Sequence, residues 1–475
     1  MAYKQDNLRR FGYKQELRRS LGFADLLFYG LIFMVPIAPF GIFGSVYETS
    51  GGMVALAYAI GMIAMMFTAA SYAQMVRAFP MTGSVYSYAG RGIAPPVGFL
   101  AGWMVLLDYL LVPSLLYLVA GVAMHATIPA VPVWVWLIVF LGFNTVVNGL
   151  GIKLTALVTR VMLVGELIVL AIFLVIGIAA IADGKAHGSP LSPLYNAHTF
   201  SWPVVFGAVS VAALSFLGFD GISMLAEENR GEARKIGRSM IAALGLAGLL
   251  FIAQTWIAGL LVPHSADLIK NGDPDGVAFY QAAGVAGGGW LSGLTQTATA
   301  IAWGFADSLV AQVAISRLLY AMARDRQLPK LLAKVSVKRL VPTNAIIVTA
   351  VITLAIGEYM ASLADGIATL SSLINFGAMT AFLVLHVSVV SHYVVRNGSR
   401  RWLVHLVVPV IGFAILLYVV INAQVAAQVL GIVWLGVGAL VLIGLYAAGR
   451  RPTLPDALPE EPVSVDPSSS AEATA

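Results

Sequence analysis

Four carboxylates sit inside long apolar runs of this sequence: Asp108, Glu166, Asp220 and Asp307. In an apolar medium a carboxylate needs an opposing charge, hydrogen-bond donors or a proton. No Lys or Arg lies beside them in those runs; Arg160 and Arg317 stand toward the run ends, where they can snorkel or pair at a gate. Buried acids without buried bases suit two kinds of chemistry, holding a cationic ligand and carrying a proton. Asp108 lies in "GWMVLLDYLLVPSLLYLVAG", among Tyr109, Pro113, Ser114 and Tyr117. An acid beside aromatic rings can hold an ammonium by ion pairing and cation–π attraction.

Each of the other acids has a second reading. Asp220 either meets a ligand or caps a helix by accepting backbone N–H bonds. Glu166 either carries a proton or stays neutral and hydrogen-bonds across helices. Asp307 shares a helix with a polar stripe, Gly304, Ser308 and Gln312, facing a cavity or the rest of the bundle.

The elements that carry these acids read as membrane spans. The chain of 475 residues is 59% hydrophobic and 11% charged, with a mean hydropathy of +0.87. Ordinary soluble domains carry about 25% charged residues. Taking about 20 apolar residues per crossing, twelve runs qualify, centred near 33, 65, 107, 141, 169, 213, 250, 305, 352, 379, 413 and 438. Stretches such as "VGELIVLAIFLVIGIAAIA" (164–182) have no polar face, which excludes a large soluble helical protein.

Two runs are interrupted. The first, "FYGLIFMVPIAPFGIFGSVYETSGG" (28–52), holds Pro36, Pro39, Gly41 and Gly44; the sixth, "VVFGAVSVAALSFLGFDGISML" (204–225), holds Gly218 and Gly221. Proline removes a backbone donor and glycine weakens a helix, so both are predicted to unwind in mid-membrane. Unwound backbone survives there only where it lines a cavity or is buried in protein. Interruptions opening each of two five-helix halves indicate an inverted-repeat transporter; two kinked helices without a site are the plainer alternative.

All Lys and Arg except Lys185 and Lys270 fall in the tail 1–20, in alternate loops or beyond the last run. This positive-inside pattern places both termini in the cytoplasm of a multi-pass protein of the cytoplasmic membrane. The net charge of +5 is then a topology signal and implies no nucleic acid. With no cysteine there is neither a disulfide nor a thiolate site. His386 and His392 read as structural or headgroup contacts rather than metal ligands. No enzyme site, metal or organic cofactor is implied. The expected organisation is a tail (1–20), a membrane domain (21–450) and a disordered Pro- and Ser-rich tail (451–475).

Three segments carry a family resemblance: "FPMTGSVYSYAGRGIAPPVGFLAGW" (79–103), "FLGFDGISMLAEENRGEARKIGRS" (216–239) and "ISRLLYAMARDRQLPKLLAKV" (315–335). With them, residues 20–450 resemble an amino acid–polyamine–organocation permease. "LLDYL" (106–110), "SFLGFD" (215–220) and "LINFGA" (373–378) are most similar to the bacterial putrescine importer group. The resemblance implies an all-α, twelve-span fold of the leucine-transporter type. It implies a five-plus-five inverted repeat (21–182 and 201–395) with spans one and six broken, and two extra helices (402–450). It also implies a substrate site at the breaks, around Val35, Pro36, Ile37 and Ala38 and around Phe216, Gly218, Phe219 and Asp220.

Two departures bear on the substrate. Many amino acid members carry a lysine in span five where "GIKLTALVTRVMLVGEL" (151–167) has Glu166, and the first break reads "MVPIAP" in place of the usual glycine-rich sequence. Both suit a diamine. The expected function is proton-coupled import of a small amine, putrescine first, with Asp108, Tyr109 and Tyr117 at the ammonium and Glu166 or Asp307 carrying the proton. The alternatives are an amino acid symporter or exchanger of the same family and, from another class, a channel or a transporter-like sensor. Oligomeric state is left open by the sequence.

Overall fold

The computed structural model describes residues 11–12, 15–273, 276–363, 366–423 and 425–449. The tail 451–475 and most of residues 1–14 lie outside the described residues. Helices dominate, in the order α1 (Phe23–Met34), α2 (Pro39–Thr49), α3 (Val54–Ala78), α4 (Ser84–Gly92), α5 (Pro95–Thr127), α6 (Val133–Leu150), α7 (Ile152–Ala182) and α8 (Trp202–Phe216). There follow α9 (Ala233–Leu261), α10 (Ser265–Asn271), α11 (Ala278–Gly287), α12 (Gly289–Ile301), α13 (Ser308–Arg324), α14 (Thr343–Ala361), α15 (Gly366–Val389), α16 (Val408–Ile421) and α17 (Val425–Ala447). Among the described residues, eleven helical stretches are long and apolar enough to cross a membrane, and the bent pair α1–α2 makes a twelfth.

The interruptions have local causes. α1 stops at Met34, where Val35 takes a left-handed φ of 49° and Pro36 offers no N–H. Pro39 then opens α2 at a position where its missing N–H costs nothing, and the two helices meet at 53°. α8 stops at Phe216; Leu217 is extended, Gly218 turns at φ 109°, and a tight 3-10 stretch runs Phe219–Glu228. A wider π-turn, Ala302–Asp307, joins α12 to α13 and swings Trp303 and Asp307 inward.

Inner and outer helices differ as lipid demands. α5 and the α12–α13 span are buried along most of their length, whereas α7, α14, α16 and α17 expose apolar side chains such as Val161, Val175, Ile347 and Ile443. The end of the bundle that carries most Arg and Lys is sealed by the segment before α1. Ser20 and Leu21 donate backbone N–H groups to the Glu228 carbonyl at 2.9 and 3.0 Å, and Arg230 returns a bond to Leu21 at 2.9 Å. At that end Arg317 and Glu228, each 1% exposed, pair at 2.9 Å, and Arg324 meets Glu227 at 3.0 Å. The 3-10 stretch after the second break is thereby tied to α13.

Candidate functional site

The two interruptions touch. The Gly218 α-carbon packs on the backbone of Phe33, and the Phe33 ring covers Gly221, where an added methyl group would lie 2.4 Å from the ring edge. Around this junction lies a cavity, about 540 Å³ of free space when the solvent open to it is included. α1, the first break and α2 supply Phe33, Met34, Val35, Ala38 and Ile42; α5 supplies Asp108, Tyr109, Val112, Leu115 and Leu116. α8 and the second break supply Leu214, Ser215, Leu217 and Gly218, and the π-turn supplies Trp303 and Asp307. Among the described residues no Lys, Arg or His lines it.

Carboxyl groups gather at two places around the cavity. Asp108 lies within Coulomb range of Asp220, and Asp307 lies within range of Glu166. Asp220 is buried and its Oδ2 accepts hydroxyls from Tyr109 at 2.6 Å and Tyr72 at 3.2 Å. The hydroxyl of Tyr72 also meets Ser84 at 2.9 Å, so Asp220 ends a polar chain running to α4. Asp307 and Glu166 are each 5% exposed, and among the described residues the Asp307 Oδ1 and both Glu166 oxygens have no hydrogen-bond partner. The two acids project from the π-turn and from α7.

The remaining sequence-predicted residues have distinct places. Pro36 gives its carbonyl to Gln254 Nε2 at 2.9 Å, and Ile37 is fully buried beside it. Phe216 is buried against Tyr58 and Phe251, with ring centroids 6.0 and 5.2 Å away. Phe219 packs between Tyr72 and Phe382. Tyr117 lies apart from the cavity lining, its hydroxyl accepting from Asn144 at 3.0 Å. The polar stripe faces α6: Asn144 donates to the Gly304 carbonyl and to Ser308, while Asn148 donates to Gln312.

Sequence reasoning missed Trp303, Gln254 and Tyr72. Trp303 lies over Gly41 of α2, where an added methyl group would meet its ring at 2.9 Å, and its buried Nε1 has no partner among the described residues. The one signal available was its position four residues before Asp307, on the same helical face. Gln254 and Tyr72 are polar residues in apolar helices, the same mark that singled out the four acids.

A twelve-span helical bundle with an acidic cavity at two broken helices defines a membrane transporter of small solutes. Residues 26–446 match the amino acid permease family, and the chain belongs to that family. It is 32% identical to the low-affinity putrescine importer PlaP of Escherichia coli over 447 residues, 92% of this chain and 96% of the relative. Identity is 25% to the branched-chain amino acid permease BcaP of Bacillus subtilis over 470 residues, 93% of this chain and 96% of that one. It is 26% to the methylthioribose transporter of Bacillus subtilis over 455 residues, covering 90% and 93%. The chain is a multi-pass transporter of the amino acid–polyamine–organocation group and not an enzyme.

Proposed function

We propose that the chain imports a small cationic amine, putrescine first, by proton-coupled alternating access. The observation that carries this reading is the lining of the cavity: Asp108 and Asp307 without any basic side chain. An amine entering there meets an ion-pair partner at Asp108 and the rings of Tyr109, Phe33 and Trp303. Val112, Leu115 and Leu116 on α5 and Leu214 and Leu217 beside the second break offer an apolar wall to its methylene chain. The importer PlaP carries putrescine by name, and its similarity over almost the whole chain favours the same substrate class.

Glu166 and Asp307 form the proton store in this mechanism. Two carboxyls within Coulomb range and without a base between them hold one charge more easily than two. Binding of an ammonium beside Asp307 then alters which of them keeps the proton. The fold works as a five-plus-five inverted repeat, spans one to five against six to ten, each half opening on an interrupted helix, with the last two spans added outside. Both termini are cytoplasmic, which makes the basic, sealed end the inward gate. Its opening must part Arg317 from Glu228 and Arg324 from Glu227.

The test is uptake of labelled putrescine into proteoliposomes under an inward proton gradient, with Asp108→Asn alongside and neutral amino acids as competitors. Gradient-driven putrescine uptake that the substitution abolishes is the expected result. Transport of a neutral amino acid by both proteins, with no putrescine uptake, would overturn the amine reading in favour of an amino acid symporter.

A further inference from the structure

A second charged feature lies outside the transport path, on the basic end of the bundle. Arg77 occupies the last turn of α3, and Arg234 and Arg238 are one turn apart at the start of α9, on one face. Arg401 precedes the turn Leu403–Val407 that leads into α16. Packing brings these three helix ends together. Gly237 of α9 lies directly on α3, where an added methyl group would stand 2.7 Å from the Ala73 side chain and 2.8 Å from its α-carbon. Tyr393, at the end of the span begun by α15, donates its hydroxyl to the Gln74 carbonyl at 2.9 Å. Its ring stacks on His405 at 4.0 Å and 16°. As a result Arg77 lies within Coulomb range of Arg234, Arg238 and Arg401 together.

Guanidinium groups brought within Coulomb range of one another repel. None of the four forms an ion pair among the described residues. The nearby acids are engaged elsewhere: Glu227 holds Arg324 and Thr82, Glu228 holds Arg317, and Asp25 holds Arg160. Glu232, at the N-cap of α9, is the remaining acid close in sequence, and it pairs with none of them.

Below the arginines the surface turns apolar. α9 and α16 both pack on α3, with Gly248 against Met62 and Gly412 against Phe67, and Ile63 of α3 is 52% exposed. Leu246 and Leu249 of α9 and Val407 and Ile411 at the start of α16 are also exposed. Trp402, beside Arg401, is exposed, and tryptophan favours the membrane–water boundary.

We infer that Arg77, Arg234, Arg238 and Arg401 bind the phosphate headgroup of an anionic membrane lipid, whose acyl chains lie along α3 next to α9 and α16. Guanidinium groups match phosphate oxygens bidentately, and basic pockets between spans are built for such headgroups. The apolar surface directly beneath the cluster selects a lipid over free phosphate. The bound phosphate holds together three helix ends that would otherwise repel.

The experiment is native mass spectrometry of the full-length protein titrated with phosphatidylglycerol, phosphatidylcholine or inorganic phosphate. A variant with Arg77→Gln, Arg234→Gln, Arg238→Gln and Arg401→Gln is compared with wild type. The control removes four charges elsewhere on the same end: Lys153→Gln, Lys330→Gln, Lys334→Gln and Lys338→Gln. Should the arginine variant fail to fold, Arg234→Gln with Arg238→Gln takes its place. Phosphatidylglycerol binding should weaken at least tenfold in the arginine variant and stay unchanged in the control, with phosphatidylcholine indifferent to both. Equal weakening in the control would overturn the site in favour of diffuse charge attraction. Displacement of the lipid by inorganic phosphate alone would overturn the role of the acyl groove.

Discussion

The α-carbon of Gly218 rests on the backbone of Phe33, so close that a methyl group there would stand 2.7 Å from the Phe33 carbonyl oxygen. One residue thus locks the two interrupted spans together at the cavity wall. The φ of 109° at Gly218 adds a second reason for glycine, since side chains rarely adopt that conformation. Sequence, backbone and cavity are linked at this single contact.

Gly218→Ala is therefore expected to lose transport and at least about 2 kcal/mol of stability, from left-handed strain plus backbone overlap. Gly165→Ala is the matched control, because nothing lies within 4 Å of a methyl group added there. Thermal unfolding in detergent and uptake in proteoliposomes check both. Normal uptake by Gly218→Ala would show that the breaks need not touch.

The Arg317–Glu228 pair makes a different prediction. Both side chains are 1% exposed, so removing the carboxylate charge strands a guanidinium in a dry site. Glu228→Gln should cost about 3–5 kcal/mol. Replacing both partners by apolar residues of similar size should cost less, because no charge is then left buried without its partner. A double-mutant cycle read by unfolding temperature measures the coupling, and a coupling near zero would remove the pair from the gate.

Much of this architecture was legible because a bilayer imposes a simple rule on sequence. A crossing needs a long apolar run, and the runs centred near 33, 107, 213 and 305 correspond to α1–α2, α5, α8 and the α12–α13 junction. Pro36 and Pro39 announced the first interruption by removing donors, and α1 ends two residues before Pro36. What the sequence could not convey was rotation and long-range partnership. Tyr117 follows Tyr109 by eight residues, about 80° around a helix, and that turn carries it away from Asp220 to Asn144. Tyr72 reaches Asp220 across 148 residues and Gln254 reaches Pro36 across 218, separations that no local pattern encodes. The docking of residues 20–21 on Glu228 is equally non-local.

Tyr109 and Tyr117 should separate in experiment as they do in space. Tyr109→Phe removes the 2.6 Å donor from Asp220 and leaves that buried oxygen with Tyr72 alone. A cost of about 1–3 kcal/mol is expected, felt as a raised apparent KM for the amine because Tyr109 also lines the cavity. Tyr117→Phe removes a hydroxyl that meets Asn144 outside the cavity, so stability should fall slightly with KM unchanged. Equal KM changes in the two variants would argue against Tyr109 as a substrate contact.

Glu166 supplies the sharpest test of coupling. Among the described residues its two oxygens have no hydrogen-bond partner, and it lies within Coulomb range of Asp307 at the cavity edge. Glu166→Gln preserves shape and removes the titration. The variant should still exchange labelled for unlabelled substrate across the membrane, yet an inward proton gradient should no longer drive accumulation above the level of exchange. Asp307→Asn should weaken exchange itself, since Asp307 lines the cavity and Glu166 does not. Accumulation by Glu166→Gln at the wild-type level would assign the proton to another group, and Asp307 would then be the residue to titrate next.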